Sequence, residues 1–493
     1  MKTALMLLLW CAALAPGQSS VGAFTATGAM TVARSWHTAT LLKNGRVLIA
    51  GGVTDSSSSV TASAELYDPT GGTFSPTGNM TIPRAAHTAI LLSDGRVLIA
   101  GGFTLGENVP WLTTAEIYDP STGTFTATSD MIHAHECGQA HVLNNGKVLL
   151  SGGSDDPIRN LQIPDAQLYD PTTGSFSAAG TYATVPPNGT YCGGRASTSL
   201  VDGRVLIVWE DDLAEIYDPE TGSFIQTGKP LGPSYNVGLA TATLLMDGKV
   251  LVAGGDDGSN SGRTDYTSTE LFDAPTGSFA PGGSMSAGRD GASATLLPNG
   301  TVLIAGGGYG YDLGVPYGPS ADVYDPVSGI FRAGPEMVTS RSHHTATLLN
   351  DGRVLIAGGD WDSSFGPTPL AELYTTDVLT PAPVLLSLSG DGKGQGAVLH
   401  AGTARAVTAS DPAVPGEALE IYGTGLKDGS VIPPQVDIGG RMAEVLWFGN
   451  APGYPGLNQN NVRVPAGIAP GPAVRVWVNY LSRPSNEVTI GVN

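Results

Sequence analysis

Short apolar runs alternate along this chain with glycine-rich turns. The run VLIA is preceded by GR and followed by two glycines at Gly45, Gly95 and Gly352, and close variants start at Gly146, Gly203, Gly248 and Gly300. An alternating stretch such as HTATLL comes before each run, and AELYDPxTGTF or a variant comes after it. Period-two alternation bounded by NG, DG and DPxTG turns predicts short antiparallel strands and no helix.

The spacing of these units predicts the architecture. Successive anchor glycines lie 50, 51, 57, 45, 52 and 52 residues apart. Each unit carries four strands, here called a to d, in chain order. Four strands repeated about every fifty residues predict the blades of a β-propeller. Seven such units span residues 22–376.

The repeated unit resembles the kelch family. The pattern consists of the paired glycines, then Tyr67, then Phe74 at the position where the family usually has tryptophan, and it recurs in the later units. The resemblance implies a seven-bladed propeller like the central domain of galactose oxidase. It implies no single activity, because kelch propellers include oxidases, sugar-binding modules and protein scaffolds.

The two ends of the repeat predict how the ring closes. The seventh unit reaches Tyr374 but lacks strand d, whereas Gly22 to Gly28 matches the strand d segment GTFSPTG that begins at Gly72. We therefore expect the N-terminal strand to complete the last blade, which leaves no open sheet edge. The predicted fold is an all-β, seven-bladed kelch propeller closed by an N-terminal strand and followed by a small β-sandwich.

The sequence pattern changes after the repeat ends. Residues 377–411 are predicted to be a linker and a segment without assignment. Residues 412–493 contain short strands between Gly and Pro turns, which predicts a β-sandwich. The PGE of Pro415 to Glu417, the GTGL turn at Gly423 and the closing SNEVTI strand resemble the IPT/TIG class of immunoglobulin-like domains. That resemblance implies a spacer or an adhesion module.

Charge and the N-terminus indicate the compartment and exclude some partners. The net charge of −20 argues against nucleic acid and anionic membrane surfaces. Lys2 and the apolar run that follows it predict a secretory signal peptide over approximately residues 1–20, without stable membrane insertion. We therefore expect a secreted or cell-surface protein. Cys137 and Cys192 are a disulfide candidate, with two buried thiols as the alternative.

Loop lengths predict one functional face. The a–b and c–d turns are tight and lie at one end of the propeller, whereas the long, dissimilar b–c and d–a loops lie at the other end, where binding groups usually gather. Large aromatic side chains in these loops are candidates for stacking on a sugar ring or filling a protein interface. They are Trp111, Tyr309, Tyr311, Tyr317, Trp361 and Phe365.

Two sets of polar residues recur at the start of the innermost strand. Arginines stand eleven residues before the anchor glycine in four units, each with an acid at the start of strand c, and we interpret these pairs as structural bridges near the channel mouth. Histidines stand eight residues before the anchor in three units; these could ligate a metal or could join neighbouring blades. The arginines are Arg34, Arg84, Arg289 and Arg341, and the histidines are His37, His87 and His344.

The sequence favours a secreted, non-enzymatic binding protein for an extracellular glycan or protein. No cofactor is predicted, and calcium or copper stays open. The alternatives are a metal-dependent oxidase or lyase at the channel mouth, and a structural or adhesive surface protein. In the kelch copper-radical oxidases a tyrosine stands beside the ligand histidine, whereas Trp36, Ala86 or His343 stands there in this chain. That difference argues against the radical chemistry.

Overall fold

Seven four-stranded antiparallel sheets form a closed ring in the computed structural model. The structure describes residues 22–104, 111–153, 165–183, 196–209, 213–231, 239–255, 265–308, 318–360, 366–376, 381–427 and 429–493. The innermost strand of every blade contacts the innermost strands of both neighbouring blades, which closes the ring. The described residues contain no helix, and so none that is long and apolar enough to cross a membrane. The prediction of a seven-bladed all-β propeller is confirmed.

The strands of the first four blades follow the chain from the axis to the rim. Blade 1 consists of β2 (Thr38–Leu41), β3 (Val47–Ala50), β4 (Ala64–Asp68) and β5 (Thr73–Pro76). Blade 2 consists of β6 (Thr88–Leu91), β7 (Val97–Ala100), β8 (Ala115–Asp119) and β9 (Thr124–Ala127). Blade 3 consists of β10 (Gln139–Val142), β11 (Val148–Ser151), β12 (Asp165–Asp170) and β13 (Ser175–Thr181). Blade 4 consists of β14 (Ala196–Ser199), β15 (Val205–Val208), β16 (Ala214–Asp218) and β17 (Ser223–Gln226).

The remaining blades have the same order, and the last one takes its outer strand from the N-terminus. Blade 5 consists of β18 (Thr241–Leu244), β19 (Val250–Ala253), β20 (Ser268–Asp273) and β21 (Ser278–Ser284). Blade 6 consists of β22 (Ser293–Leu296), β23 (Val302–Ala305), β24 (Ala321–Asp325) and β25 (Ile330–Ala333). Blade 7 consists of β26 (Thr345–Leu348), β27 (Val354–Ala357), β28 (Ala371–Thr375) and β1 (Ala23–Ala26).

The closing strand pairs as the sequence predicts. Strand β1 is antiparallel to β28, with Phe24 opposite Tyr374. The two rings lie 5.1 Å apart and are tilted, like the equivalent Tyr67 and Phe74 of blade 1, whose rings lie 4.8 Å apart. The predicted closure by the N-terminal strand is confirmed. The segment predicted to be a signal peptide lies outside the described residues.

The second strand of each blade is buried because blades pack face to face. Val47 and Ile49 of blade 1 share a hydrophobic cluster with Leu355 and Leu373 of blade 7, and all four are almost fully buried. Such clusters repeat around the ring, so the core lies between blades. The apolar VLIA runs are this inter-blade core.

The paired glycines permit this close packing. A Cβ at Gly51 would lie 2.3 Å from the carbonyl oxygen of Arg84 in the next blade. A Cβ at Gly52 would lie 2.6 Å from the carbonyl oxygen of Ser35 in its own blade. Both glycines also have positive φ angles, 67° and 104°, which side chains disfavour. Each pair therefore marks the point where strand b ends against its neighbours.

The C-terminal domain is a single curled sheet of nine strands around its own core. Two of its strands come from 377–411, so the part of that segment that the structure describes belongs to the sheet and is more than a linker. Its strands are β29 (Val384–Leu385), β30 (Val398–His400), β31 (Ala418–Thr424), β32 (Gln435–Ile438), β33 (Arg441–Asn450), β34 (Asn458–Arg463), β35 (Gly471–Tyr480), β36 (Arg483–Pro484) and β37 (Val488–Val492).

The C-terminal domain packs against the tight-turn end of the propeller. Lys43, in the a–b turn of blade 1, places its ammonium 3.8 Å from the centre of the Trp477 ring and 3.3 Å from Oε1 of Glu487. The backbone N–H of Val431 donates to the carbonyl of Met246, in the a–b turn of blade 5, at 3.0 Å. The loop end of the propeller therefore remains the open end.

Candidate functional site

The four repeated arginines lie in buried ion pairs at the loop end of the propeller. Nη2 of Arg34 donates to Oε1 of Glu65 at 2.9 Å, and Nη1 donates to the carbonyls of Gly51 and Ser63 at 2.7 and 3.0 Å. Burial lowers the pKa of Arg34, and Glu65 opposes that shift. The pairs Arg84–Glu116, Arg289–Asp322 and Arg341–Glu372 are 3.0, 2.8 and 2.8 Å long. In all four, the terminal guanidinium nitrogens bond to the protein itself.

The acids of these pairs also hold the incoming loop. Oε2 and Oε1 of Glu65 accept the backbone N–H groups of Thr31 and Val32 at 2.7 and 3.2 Å. In blade 3 the pair is neutral, because the side-chain amide of Gln167 donates to Nε2 of His135 at 2.6 Å and its carbonyl accepts from a backbone N–H. The recurring function of this position is to anchor the loop.

The three repeated histidines join neighbouring blades. His37 Nε2 forms a hydrogen bond with the hydroxyl of Thr345 at 3.0 Å, and His87 Nε2 forms one with Thr38 at 2.9 Å. His344 Nε2 forms one with Ser293 at 2.8 Å. Burial, and secondarily the neighbouring arginines, hold the pKa of all three imidazoles well below the usual value. Each is therefore a neutral link between two blades.

These histidines do not fit a copper or zinc ion. Each commits Nε2 to a hydroxyl of a different blade, and buried arginines nearby oppose an added cation. Within the described ranges, no group of three His, Cys, Asp or Glu side chains is placed to hold a metal. The repeat thus copies an inter-blade contact, and the three imidazoles form no common ligand set.

A ring of residues with left-handed backbone conformation surrounds the loop-side mouth of the channel. Trp36, Ala86, Cys137, Leu239 and His343 have φ angles of 55°, 51°, 55°, 60° and 51°. They occupy one repeat position, and the equivalent position in blade 6 is Gly291. Non-glycine residues in this conformation are uncommon, and such strain recurs at functional sites.

Backbone hydrogen bonds connect most of this mouth ring. The N–H of His343 donates to the carbonyl of Gly291, and the N–H of Trp36 donates to that of His343, both at 3.2 Å. The series continues from Ala86 to Trp36 at 2.9 Å and from Cys137 to Ala86 at 2.8 Å. The left-handed turns are therefore held by one another, and their side chains are presented around the axis.

The mouth ring borders a cavity of about 410 Å³. His343 and Trp36 line one part of it, and Leu239 and Cys137 line another. This volume lies within the range of small-molecule sites, roughly 300 to 1,000 Å³. The side chains of the four arginines do not line it, so they belong to the scaffold behind the cavity wall.

His343, which lines this cavity, forms a dyad with Asp360. Nδ1 of His343 lies 3.1 Å from Oδ1 and 3.2 Å from Oδ2 of Asp360. Backbone hydrogen bonds between Ser342 and Asp360, 2.9 and 3.0 Å long, fix the spacing of the two side chains. A carboxylate at Nδ1 favours a proton on that nitrogen, which leaves Nε2 as an acceptor.

Nε2 of His343 is buried and has no hydrogen-bond partner within the part of the chain that the structure describes. A Cβ at Gly291 would lie 3.1 Å from it, so glycine keeps this nitrogen free of a side-chain contact. The imidazole is stacked on Trp36, with ring centroids 3.9 Å apart and an interplanar angle of 20°. The arrangement is an oriented imidazole base on an aromatic support.

Of the loop aromatics proposed from the sequence, one lies within the described residues. Trp111 is 6% exposed, and its indole N–H donates to Glu136. The expectation of an exposed stacking ring is therefore wrong for Trp111, because an isolated bridge to Phe103 turns its side chain into the protein. Tyr309, Tyr311, Tyr317, Trp361 and Phe365 lie outside the described residues.

Cys137 is disulfide-bonded in the structure. Its candidate partner, Cys192, lies outside the described residues. Cys137 belongs to the mouth ring, so the cross-link is attached at the edge of the cavity. A disulfide at this position restrains the chain where the backbone is strained.

The dyad was missed by sequence reasoning. His343 stood in the sequence only as the residue before the repeated His344, and Asp360 as one of several acids in a variable loop. The available signal was positional, because the position nine residues before the anchor glycine holds five different side chains and two glycines, while the blades around it are alike. Variation at one repeat position marks the cavity lining.

Comparison with known proteins identifies the architecture. No family model and no curated protein matches the chain. A solved structure described as a novel fungal alcohol oxidase of the AA5 family, in complex with copper, is 16% identical, with a TM-score of 0.61. The match covers 96% of this chain and 100% of that one. At this identity the similarity shows a shared fold.

The comparison corrects the leading functional prediction. That prediction was a non-enzymatic binding protein that uses the variable loop face. It was wrong, because the solved structure that shares the fold over nearly the whole chain is described as an alcohol oxidase. The alternative prediction, a metal-dependent oxidase or lyase at the propeller channel mouth, is better supported.

Proposed function

We propose that the chain is an enzyme that acts on a hydroxylated substrate at the loop-side channel mouth, and that it belongs to the oxidases. The observation that carries this proposal is the His343–Asp360 dyad, whose imidazole lines the 410 Å³ cavity. The fold shared with an alcohol oxidase supports the choice of reaction class. Oxidation of an alcohol to a carbonyl compound removes the hydroxyl proton, which an oriented imidazole accepts, together with the hydrogen of the adjacent C–H bond and two electrons. In an oxidase, dioxygen takes up both electrons and both hydrogens and leaves as hydrogen peroxide.

The dyad would divide the work between its two side chains. Nε2 of His343 accepts the proton of the substrate hydroxyl, and Asp360 stabilises the imidazolium that forms and keeps the ring in the required tautomer. Trp36 restricts rotation of the imidazole by stacking on it. Trp36 and His343 both have left-handed backbone conformation, and both line the cavity.

The similar oxidase is in complex with copper, but the three repeated histidines of this chain do not fit that ion, since each Nε2 is hydrogen-bonded within the scaffold. We therefore assign no step to a metal. The proposal rests on the proton acceptor and the cavity.

A lyase is the second candidate, and one observation favours it. The described cavity wall offers an oriented imidazole, His343, and such a base accepts a proton from carbon as well as from oxygen. The same imidazole would remove a C–H proton next to a carbonyl group while a leaving group departs from the adjacent carbon, so that a double bond forms. Both reactions begin with proton transfer to His343.

The test is a substrate screen with two readouts. Purified protein, with and without added copper, is incubated with primary alcohols, sugars and uronate-containing oligosaccharides. Oxygen consumption with hydrogen peroxide formation identifies an oxidase, and ultraviolet absorbance of an unsaturated product identifies a lyase. His343→Gln is expected to lower either activity at least 100-fold. Turnover that survives in His343→Gln would refute the assigned base.

A buried histidine elsewhere provides the matched control. His141 lines the opposite end of the channel and forms a hydrogen bond with Ser197 at 2.7 Å. His141→Gln should leave turnover unchanged within twofold. If both variants lose activity equally, the loss reflects damage to the propeller.

We also propose that the protein acts outside the cytoplasm. The predicted signal peptide at residues 1–20 and the disulfide at Cys137 support an oxidising compartment. The repeated units support membership in the kelch class of propellers. Export of the full-length chain, followed by N-terminal sequencing of the mature protein, tests the first point.

A further inference from the structure

The outer face of the C-terminal sheet carries an exposed tryptophan. Trp447 is 42% exposed and lies on β33. The opposite face of the same strands forms the domain core, in which Leu419, Ile421 and Val462 are fully buried. Side chains alternate across a strand, so the neighbours of Trp447 belong to the face away from the core.

Strand register places four polar side chains beside this ring. Trp447 is opposite Asn461, and Asn461 is opposite Glu420 on the next strand. Two residues further along, Gln459 is opposite Tyr422. Directly opposed residues share a face, so these side chains form a compact patch across β33, β34 and β31. We call this patch the Trp447 platform.

The indole ring extends along the platform because its neighbour has no side chain. A Cβ at Gly449 would lie 3.1 Å from Cζ2 and 3.3 Å from Cη2 of Trp447. Gly449 is also opposite Gln459. Glycine therefore leaves room for the ring beside the polar row.

The polar side chains are ordered by hydrogen bonds to one another. Nε2 of Gln459 donates to Oδ1 of Asn461 at 2.8 Å, and the Tyr422 hydroxyl donates to Oε2 of Glu420 at 2.9 Å. Burial, together with this carboxylate, raises the pKa of Tyr422 to about 12. The hydroxyl therefore remains protonated at any physiological pH, and the platform stays a fixed set of donors and acceptors.

We propose that the Trp447 platform binds a neutral polysaccharide. A flat exposed indole stacks on the apolar face of a sugar ring, and adjacent carboxamide, carboxylate and phenol groups match hydroxyls that both donate and accept. Polar side chains occupy the positions directly opposed to the tryptophan across the next two strands, and this favours a hydroxylated ligand over an apolar protein surface. The net charge of −20 favours a neutral polymer over an acidic one.

The site lies on the C-terminal domain, and the catalytic proposal concerns the propeller mouth, so the two are independent. Such a platform would hold the enzyme on a polymer while the propeller acts on nearby hydroxyl groups. Trp447→Ala should therefore leave turnover of a small soluble substrate unchanged.

The test measures binding of the full-length protein to cellulose, chitin, xylan and starch, with alginate as the acidic comparison. We expect retention on at least one neutral polymer and at least tenfold weaker binding for Trp447→Ala, with partial retention for Trp447→Tyr. The control is Tyr454→Ala, which removes a 67% exposed aromatic ring from the same hairpin but outside the platform. Its binding should stay within twofold of the unmodified protein.

Several results would overturn the proposal that the Trp447 platform binds a neutral polysaccharide. These are absence of binding to all four neutral polymers, binding to alginate alone, or equal losses for Trp447→Ala and Tyr454→Ala. Capture of a protein partner that depends on Trp447 without any polysaccharide binding would assign the surface to a protein. Unchanged melting temperatures in both variants would show that any loss of polysaccharide binding is not caused by unfolding.

Discussion

The imidazole of His343 lies flat against the indole of Trp36, with the two ring centroids 3.9 Å apart, although the residues are separated by most of the propeller sequence. They belong to neighbouring blades because blade 7 closes against blade 1. The backbone N–H of Trp36 also donates to the carbonyl of His343. Ring closure therefore places the aromatic support from blade 1 against the candidate base of blade 7.

Asp360 should control the activity of that base. Asp360→Asn keeps the backbone hydrogen bonds to Ser342 and the size of the side chain, but its amide no longer favours a proton on Nδ1 of His343. We expect kcat to fall at least 100-fold with little change in KM, measured on whichever substrate the screen identifies. Asp360→Glu should recover part of the loss. Equal activity of Asp360→Asn and the unmodified protein would exclude the dyad.

The Arg84–Glu116 pair predicts a large cost when one charge is removed. Both side chains are almost fully buried, and Arg84 also donates to the carbonyls of Gly101 and Thr114. Glu116→Gln leaves the guanidinium without its carboxylate, so we expect a loss of about 3 kcal/mol in the free energy of unfolding, measured by urea denaturation.

Blade 3 supplies the matched control for that prediction. It carries His135 and Gln167 at the equivalent positions and forms a neutral hydrogen bond there. The double variant Arg84→His/Glu116→Gln should therefore lose less stability than the sum of the two single variants. A purely additive result would show that the two charges do not interact.

Phe24 tests the closing strand. Its ring packs against Tyr374 as Phe74 packs against Tyr67, and both phenylalanines are partly buried. Phe24→Ala and Phe74→Ala should each lower the free energy of unfolding by about 2 kcal/mol, because each deletes a half-buried aromatic contact. A silent Phe24→Ala beside a destabilised Phe74→Ala would mean that β1 does not close the ring in solution.

The fold could be predicted because the sequence pattern of one blade occurs seven times. Alternation, turn residues and the truncated last unit together specify strand order, blade number and the pairing of Phe24 with Tyr374. The curled C-terminal sheet was harder to predict from the sequence. Its first strands, Val384–Leu385 and Val398–His400, are two and three residues long, too short for a periodic signal, and they are held by pairing with β31.

The candidate site was harder to predict, for a physical reason. The repeated histidines were candidate metal ligands because they recur in the sequence. They recur because the same contact between neighbouring blades is made several times around the ring. The dyad depends on two single side chains of blade 7, His343 and Asp360, and its aromatic support depends on the contact with Trp36 in blade 1. Long-range contacts of unique residues leave no periodic pattern in the sequence.

Asp437 makes the contact between the two domains sensitive to pH. It is 3% exposed, and burial raises its pKa to about 6, with Lys43 and the indole of Trp477 opposing the shift and Glu487 adding to it. The folded-state pKa lies above the unfolded value, so this carboxyl group stabilises the fold fully below about pH 4. The contribution is lost as the pH rises through about 6.

Asp437→Asn should remove this dependence. The amide carbonyl can still accept the backbone N–H of Gly440, which Oδ1 of Asp437 accepts at 2.9 Å. We expect the variant to be about 2 to 3 kcal/mol more stable than the unmodified protein at pH 7.5 and equally stable at pH 4, as measured by urea denaturation. Lys43→Met should move the pH midpoint of the unmodified protein upward, because Lys43 lowers the pKa of Asp437. A stability difference between Asp437→Asn and the unmodified protein that is the same at both pH values would show that Asp437 does not titrate in this range.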